Sequence, residues 1–381
     1  MLEPTAGLAT RGPGPDVARR RSRGTARTAT RGSRHRAVIG REGYGRKRRK
    51  SPQTRALSSK MAELEMVQRS KRSLGGFSVR GKMNDDIVLS GASYRDEDAG
   101  ATTFTLTPEE VEAAFGVPSA KPLGAGAFGE TWRLDYADGT HRAGKVILSP
   151  TYPTERLARE VEGLRRVSNP HVVALHDART VSLPRGDRAA LVFEYIAGGD
   201  VDANLPAGAR VGARDVAGFA RGVLVGLEAL HAVDTVHRDV KPANIAVRDG
   251  DWNRPVLLDL GLARVLDRAS ITAYPALMGT AWFMAPEQLR QERARKAADV
   301  FAVGVVAHLM LTGKHPFFDG AQNLSLTEAV RLIEAGPAPL PATVPAALGD
   351  IVRRLVHPDP ADRGSARRGA KDLTDVVAAI T

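Results

Sequence analysis

The order of the predicted strands and helices limits the fold of this chain more than any other feature of its sequence. Between residues 134 and 195, short apolar segments predict strands at 134–136, 143–148, 172–175 and 190–195, with a helical spacing of apolar residues over 153–167. After Gly199 the pattern is mostly helical, as in 215–231, 298–311, 326–334 and 348–356. A strand-rich part followed by a helix-rich part predicts an α+β fold of two lobes with a cleft between them.

Residues 1–60 form a basic segment that we expect to be disordered. They contain 14 Arg, 3 Lys and 3 acidic residues, whereas the whole chain has a formal net charge of +12, so the rest of the chain is slightly acidic. Such a composition buries too little apolar surface to offset the entropy of ordering. The basic run 46–50 could bind the phosphates of nucleic acid or anionic lipid. The alternatives are a solvated tail, or a wrongly assigned start, with Met61 or Met83 as the true first residue.

Residues 61–117 are predicted to be a linker that contains one short helix. Thr107 and Glu110 have the spacing of a capping box, Pro108 suits the first helical position, and Gly116 is a natural stop. These residues predict a helix over 108–115.

The composition also indicates the compartment. The chain has no cysteine, which excludes disulfides and thiolate metal sites and fits a reducing environment. It has no apolar run of about 18 residues and no apolar core of a secretion signal, so we expect no membrane span and a cytoplasmic location.

Three glycines and a lysine form the first candidate binding motif. Gly124, Gly126 and Gly129 could let the backbone approach phosphate groups, but a glycine-rich hairpin without a ligand explains them equally well. Lys145 lies in the next apolar strand, where a buried ammonium group needs a counter-charge. Glu160 on the following helix is the expected partner, although Lys145 alone would be interpreted as a surface lysine.

The segment 237–244 carries the most specific signal. It brings Asp239, Lys241 and Asn244 into one short loop, and Asp259 follows an apolar run fifteen residues later. Carboxylate and amide oxygens are the ligands that magnesium takes together with substrate phosphates, so Asn244 and Asp259 are candidate metal ligands. Asp239 is then left to accept a hydroxyl proton. Each residue alone would indicate a polar turn, but the set in this order indicates a catalytic site.

In this order the motifs resemble those of the eukaryotic-type (Hanks-type) serine/threonine protein kinases. The resemblance covers residues 118–381 and implies a bilobal protein-kinase fold. The N-lobe would span 118–197 with an antiparallel sheet and one helix, and the mainly helical C-lobe would span 198–381, with an ATP cleft between them. It implies transfer of the ATP γ-phosphate to Ser or Thr hydroxyls of proteins, with Mg²⁺ or alternatively Mn²⁺.

The resemblance assigns roles to individual residues. Asp239 would be the catalytic base, Lys241 would steady the γ-phosphate, and Lys145, held by Glu160, would bind the α- and β-phosphates. The metal ligands would be Asn244 and Asp259. The residues expected to contact the nucleotide are Gly124, Gly126, Gly129, Ala143, Lys145, Glu194, Ile196, Asp200 and Ala246.

Other positions are expected to support the site. Phe193 would be the gatekeeper, Asp299 would anchor the catalytic loop, and Glu287 would pair with Arg363. Gly144 departs from the family pattern, and we expect it to loosen the strand of Lys145.

Lys241 and Thr280 are typical of the serine/threonine subfamily. We expect autophosphorylation within a transient homodimer, at Thr272 or, as the second candidate, Ser270, with the phosphate neutralising Arg238.

Three rival interpretations stay open. A pseudokinase scaffold would normally have lost one of the catalytic residues, and all are present. A small-molecule kinase shares part of the machinery. The third is a protein that functions by binding nucleic acid or an anionic surface through the basic tail.

Overall fold

The computed structural model of the chain describes residues 88–89, 104–126, 128–149, 152, 154–259, 281–321 and 324–380. The expectations for residues 1–60 lie outside these residues. Among the helices that the structure describes, none combines the length and the apolar character needed to cross a bilayer.

The first part of the described chain is rich in strands, and the part after Val201 is mostly helical. The strands are β1 (Val88–Leu89), β2 (Ser119–Gly126), β3 (Gly129–Asp135), β4 (His141–Ile147), β5 (Leu175–Val181), β6 (Arg188–Glu194), β7 (Ile245–Val247), β8 (Pro255–Leu257) and β9 (Leu324–Ser325). The helices are α1 (Pro108–Phe115), α2 (Thr154–Arg165), α3 (Val201–Asn204), α4 (Ala213–Ala232), α5 (Pro286–Leu289), α6 (Lys296–Thr312), α7 (Leu326–Glu334), α8 (Ala346–Leu355), α9 (Pro360–Arg363) and α10 (Ala366–Ala379).

The N-lobe is built on a five-stranded antiparallel sheet with the order β2-β3-β4-β6-β5. Side chains alternate between its faces, so that Trp132 and Leu134 on β3 are buried while their neighbours are partly exposed. Strand β4 lies between β3 and β6, which places Lys145 opposite Thr131 on one side and Leu191 on the other. The predicted α+β fold with a sheet-based first lobe is confirmed.

Helices α4 and α6 form the centre of the C-lobe. Helix α6 buries every residue from Ala298 to Thr312, as expected of a helix that is covered on all sides. Helix α4 contacts α6, α10 and strand β8. The short β7–β8 hairpin is thereby fixed to the helical core of this lobe, and the candidate catalytic residues flank that hairpin in sequence.

Part of the expected linker belongs to the core of the N-lobe. Helix α1 has the capping box of Thr107 and Glu110 and ends at Gly116 in the left-handed conformation. The buried residues before the sheet that pack with Trp132 and Leu134 are Leu106, Val111, Phe115 and Val117. A helix of eight residues has too few turns to show its apolar face as a sequence period, which explains why this packing was not foreseen.

Two other elements differ from the sequence prediction. The strand predicted over 172–175 is not formed; Val172 makes only an isolated bridge to Leu257, and β5 begins at Leu175. Strand β1 pairs with β9 of the C-lobe, although it lies in the segment that was expected to be a linker.

Candidate active site

An ion pair between the lobes joins two of the candidate residues. Lys145 Nζ on β4 lies 2.6 Å from Asp259 Oδ2, two residues after β8. The side chain of Lys145 is 13% exposed and that of Asp259 is 39% exposed, so the lysine is largely buried and the carboxylate faces an open space. The sequence predicted Glu160 as the counter-charge. Glu160 lies on α2, but its side chain lies outside the described part of the structure.

Asp239, Lys241 and Asn244 lie together on the loop that follows helix α4. The amide nitrogen of Asn244 donates hydrogen bonds of 2.7 Å to both the backbone oxygen and Oδ2 of Asp239. Lys241 Nζ lies 3.4 Å from the same Oδ2. Because the nitrogen of Asn244 is committed to Asp239, its amide oxygen is the atom that can bind a metal ion.

The β7–β8 hairpin explains why Asn244 and Asp259 are neighbours. Ile245 is paired with Leu257, and the backbone N–H of Leu258 donates to the carbonyl of Asn244 at 2.9 Å. Asp259 is the next residue and has a positive φ of 40°. The amide oxygen of Asn244 and a carboxylate oxygen of Asp259, on adjacent chain segments, would suit a hard divalent cation that completes its shell with phosphate oxygens and water. The donor set therefore fits magnesium.

Asp299, at the start of α6, anchors the loop that carries Asp239. Its Oδ2 accepts the backbone N–H of His237 at 2.9 Å, and its Oδ1 accepts that of Arg238 at 2.7 Å. The side chain of His231 adds a bond of 2.8 Å to Oδ2. Asp299 is 1% exposed, and Arg238 adopts a positive φ of 67°, an uncommon conformation that these bonds stabilise.

His237 connects the same loop to the strand that leads to Asp259. Its Nδ1 accepts the N–H of Asp239 at 3.3 Å, so Nε2 carries the proton and donates to the carbonyl of Leu258 at 2.9 Å. Sequence reasoning assigned no such role to His237 or to His231. Their bonds join residues 21 and 68 positions apart, and no local pattern reveals such partners.

The three glycines of the hairpin between β2 and β3 are not equivalent. A Cβ at Gly129 would lie 1.9 Å from the carbonyl oxygen of Val146, so the absence of a side chain there is required by the adjacent strand. At Gly124 and Gly126 a Cβ would meet no described heavy atom within 4 Å. The sheet itself therefore explains Gly129, whereas Gly124 and Gly126 border a space that a ligand could fill.

The segment after β6 crosses from one lobe to the other. The carboxylate of Glu194 pairs with Arg248 at 2.7 Å, and its backbone N–H donates to the carbonyl of Ala174 at 2.9 Å. The backbone carbonyl of Glu194 is therefore the group that could meet a nucleotide base. Asp200 caps α3 by accepting the N–H of Ala203 at 2.8 Å and forms a bridge with Ala246.

Two residues at the end of β6 and just after it, Phe193 and Ile196, are buried. Ala143 lies opposite Phe193 in the sheet.

The predicted pair of Glu287 and Arg363 is confirmed. Two parallel hydrogen bonds of 2.7 and 2.8 Å join them, and Arg363 is fully buried. Nearby, burial lowers the pKa of His315 to about 3, and its neutral ring donates to the carbonyl of Trp282 at 2.9 Å. The pair of Glu287 with Arg363 and the bond of His315 to Trp282 both fix the chain around α5.

Thr272, Ser270 and Thr280 lie outside the described residues.

Comparison with known proteins agrees with this geometry. A family model described as the protein kinase domain matches residues 118–373. The chain is 31% identical over 266 residues to the serine/threonine-protein kinase PknA of Mycobacterium tuberculosis, covering 68% of this chain and 59% of that protein. It is 34% identical over 241 residues to the probable serine/threonine-protein kinase PkwA of Thermomonospora curvata, covering 62% and 30%. The corresponding values for the serine/threonine-protein kinase PkaA of Streptomyces coelicolor are 30% over 277 residues, 68% and 50%.

The two-lobed fold with these residues at the junction of the lobes has the architecture of a protein kinase domain. The chain belongs to the protein kinase domain family, which confirms the resemblance drawn from the sequence. The family uses ATP with a divalent metal ion. The chain spans between 30% and 59% of the length of the three relatives described above.

Proposed function

We propose that this protein is a serine/threonine protein kinase that uses ATP and Mg²⁺. The observation that carries the proposal is the 2.6 Å contact of Lys145 with Asp259, because it brings a cation of the N-lobe to a candidate metal ligand of the C-lobe. Asp239 and Asn244 adjoin that ligand through the β7–β8 hairpin. The alternatives of a pseudokinase or a binding protein are not favoured. The catalytic base, the phosphate-binding lysine and both metal ligands are all present, as Asp239, Lys145, Asn244 and Asp259.

In the proposed reaction Asp239 is the catalytic base. The hydroxyl oxygen of the protein substrate forms a bond to the γ-phosphorus while the bond from that phosphorus to the ADP oxygen breaks, and the hydroxyl proton passes to the Asp239 carboxylate. Asn244 donates to the Oδ2 of this carboxylate and so orients it. Lys241, 3.4 Å from Oδ2, is placed to steady the transferred phosphoryl group.

Other residues hold the nucleotide. Lys145 binds the α- and β-phosphates, with Glu160 as its second partner, and the hairpin of Gly124, Gly126 and Gly129 covers the phosphates. Asn244 and Asp259 hold Mg²⁺, which supplies positive charge to the phosphate oxygens. Manganese is proposed as a substitute because it accepts the same oxygen ligands.

The rest of the nucleotide meets the segment between the lobes. The adenine contacts the backbone of Glu194 and Ile196 between Ala143 and Ala246, and Asp200 meets the ribose. Phe193 closes the space behind the base. The burial of Phe193 and Ile196 supports this assignment.

The substrate class is proposed to be serine and threonine in proteins. Lys241, two residues after Asp239, supports this assignment, as do the printed names of the relatives. We further propose that the chain acts in the cytoplasm and that two copies phosphorylate each other transiently at Thr272 or Ser270. Phosphopeptide mapping at several protein concentrations tests the last point, since modification between copies accelerates with concentration.

The decisive experiment compares two aspartates of the same lobe. The full chain is incubated with γ-labelled ATP, Mg²⁺ and a general protein substrate, beside Asp239→Asn and Asp249→Asn. Asp249 is exposed and has a positive φ of 56°, which Asn tolerates, so it is a matched control. We expect label on Ser and Thr with the wild type and the control, and at least about a hundredfold less with Asp239→Asn. Full activity of Asp239→Asn would refute the assignment.

A further inference from the structure

The residues before the sheet are attached to the strands that carry the candidate nucleotide-binding residues. We call residues 104–117, which include helix α1, the N-terminal clasp. The ring of Phe104 packs edge-on against Trp132 at 5.2 Å. Glu112 of α1 accepts the backbone N–H of Ala120 on β2 at 3.0 Å. The clasp is therefore continuous with the core of the N-lobe.

A buried carboxylate beside the glycine-rich hairpin depends on the clasp for its hydrogen bonds. Glu130 follows Gly129 and is 2% exposed. It accepts the backbone N–H groups of Thr105 and, at 3.3 Å, of Leu106, and also the indole N–H of Trp132 at 3.2 Å. A buried carboxylate is stable only when such bonds are made. Release of the clasp would remove two of these three donors from Glu130, which lies next to Gly129 at the start of strand β3.

The clasp also fills a space next to Lys145. A Cβ at Gly144 would lie 2.7 Å from Leu134 Cδ1 and 3.2 Å from Phe115 Cζ. Gly144 was expected to loosen the strand of Lys145, but its missing side chain instead leaves room for Leu134 and for Phe115 of the clasp. Any movement of Phe115 would leave a void against the residue that precedes Lys145.

A fourth strand, β5, also contacts the clasp. The guanidinium of Arg179 on β5 lies 5.3 Å from the centre of the Phe115 ring, a cation–π contact. It also donates to the carbonyl of Phe115 at 3.4 Å. Phe115 is thus fixed between Gly144 on β4 and Arg179 on β5.

We propose that the N-terminal clasp sets the position of the glycine-rich hairpin and of Lys145, with Glu130 and Phe115 as positioning residues for nucleotide binding. The proposal rests on the proposed kinase function. It assigns the clasp a role besides stability, because release of the clasp lowers the affinity for ATP. It also gives the N-terminal part of the chain a physical route to the active site.

The experiment uses Glu130→Gln in the full chain. Thr105 donates to one oxygen of Glu130, whereas Leu106 and Trp132 donate to the other. Gln keeps only one accepting oxygen, so its NH2 group must face one of these donor sets, and the attachment of the clasp should weaken while the side chain keeps its size. The matched control is Asp187→Asn, which removes one negative charge from an exposed position of the same lobe. Hydrogen exchange of the amides of Thr105 and Leu106 reports on the clasp, and titration with ATP and Mg²⁺ reports on the site.

We expect exchange at these two amides to accelerate at least about tenfold in Glu130→Gln. The Kd and KM for ATP should rise by about threefold to tenfold, with a smaller change in kcat, and the control should match the wild type. Faster exchange with unchanged ATP affinity would mean that the clasp only packs, and unchanged exchange would mean that Glu130 does not hold it. Either result would overturn the proposal.

A second variant separates positioning from loss of folding. Phe115→Leu keeps most of the apolar volume, so the lobe should still unfold cooperatively, while the contact beside Gly144 is lost. The same rise in KM for ATP is expected, and an unchanged KM would contradict the role of Phe115. If the wild type binds no nucleotide, the proposed function itself fails, whereas the exchange measurement still shows whether Glu130 holds the clasp.

Discussion

Arg363 and Glu287 form a buried, bidentate ion pair with two bonds of 2.7 and 2.8 Å. Arg363 also donates to the carbonyls of His357 at 2.6 Å and Pro358 at 2.8 Å, and its guanidinium lies 4.9 Å from the ring centre of Phe301. It therefore connects α5, α6 and the segment before α9. Because every side of this guanidinium is occupied, its removal affects several elements at once.

Arg363→Lys should destabilise the C-lobe strongly, although the substitution retains the positive charge. A lysine ammonium cannot reproduce the planar fork of donors, and breaking a buried pair costs about 3–5 kcal/mol. Urea unfolding followed by circular dichroism measures the change in the free energy of unfolding. The matched control is Asp319→Asn, which breaks an exposed pair with Lys314 and should cost about 1 kcal/mol or less. Equal losses in the two variants would contradict the structural role of Arg363.

Lys145→Met should leave the fold intact but greatly reduce phosphoryl transfer. The methyl thioether keeps the apolar stem of the side chain and removes the charge that meets Asp259 and, in the proposed function, the phosphates. We expect kcat/KM to fall by about a hundredfold or more, with little change in the melting temperature. Lys121→Met on strand β2 replaces an exposed lysine of the same lobe and should remain fully active. Comparable activity in both variants would count against the proposed role of Lys145.

Sequence reasoning located the residues of the site where the signal is local. Asp239 and Asn244 lie five residues apart in one loop, and the apolar run before Asp259 indicates the strand that positions it. The roles of Asp299 and of the pair of Glu287 and Arg363 came from the family resemblance instead.

Contacts between distant segments could not be read in this way. Glu130 looks like an exposed strand residue until Thr105, 25 positions away, is seen to donate to it. Lys145 contacts Asp259, 114 positions away, whereas the sequence indicated only Glu160 as its partner. Periodicity reports which face of an element is apolar, but it does not report which distant element covers that face.

Asp299→Asn should lower both stability and turnover. Asp299 accepts the N–H groups of His237 and Arg238 with different oxygens, so an amide must turn a donor toward one of them. The free energy of unfolding should fall by about 2–3 kcal/mol, and kcat should fall about tenfold or more because Asp239 lies on the same loop. Asp375→Asn on the exposed side of α10 is the control. Stability loss without a change in kcat would show that the anchor does not position Asp239.

His315 should make the protein less stable as the pH falls below about 6.5. Burial lowers the pKa of this histidine from 6.5 to about 3 in the folded protein. Its Nδ1 accepts the N–H of Phe318 at 3.1 Å and its Nε2 donates to the carbonyl of Trp282 at 2.9 Å, an arrangement that only the neutral ring can make. Between these two values the unfolded chain binds one proton more than the folded chain, so stability decreases as the pH is lowered through this interval.

The slope identifies His315 as the source of this effect. One proton corresponds to about 1.4 kcal/mol of unfolding free energy per pH unit. His315→Gln cannot take up that proton in either state. Its unfolding free energy, measured in urea between pH 4.5 and pH 6, should therefore fall less steeply than that of the wild type by up to this amount, even if the variant is less stable at every pH. Parallel curves for the two proteins would mean that His315 takes up its proton equally in the folded and unfolded states.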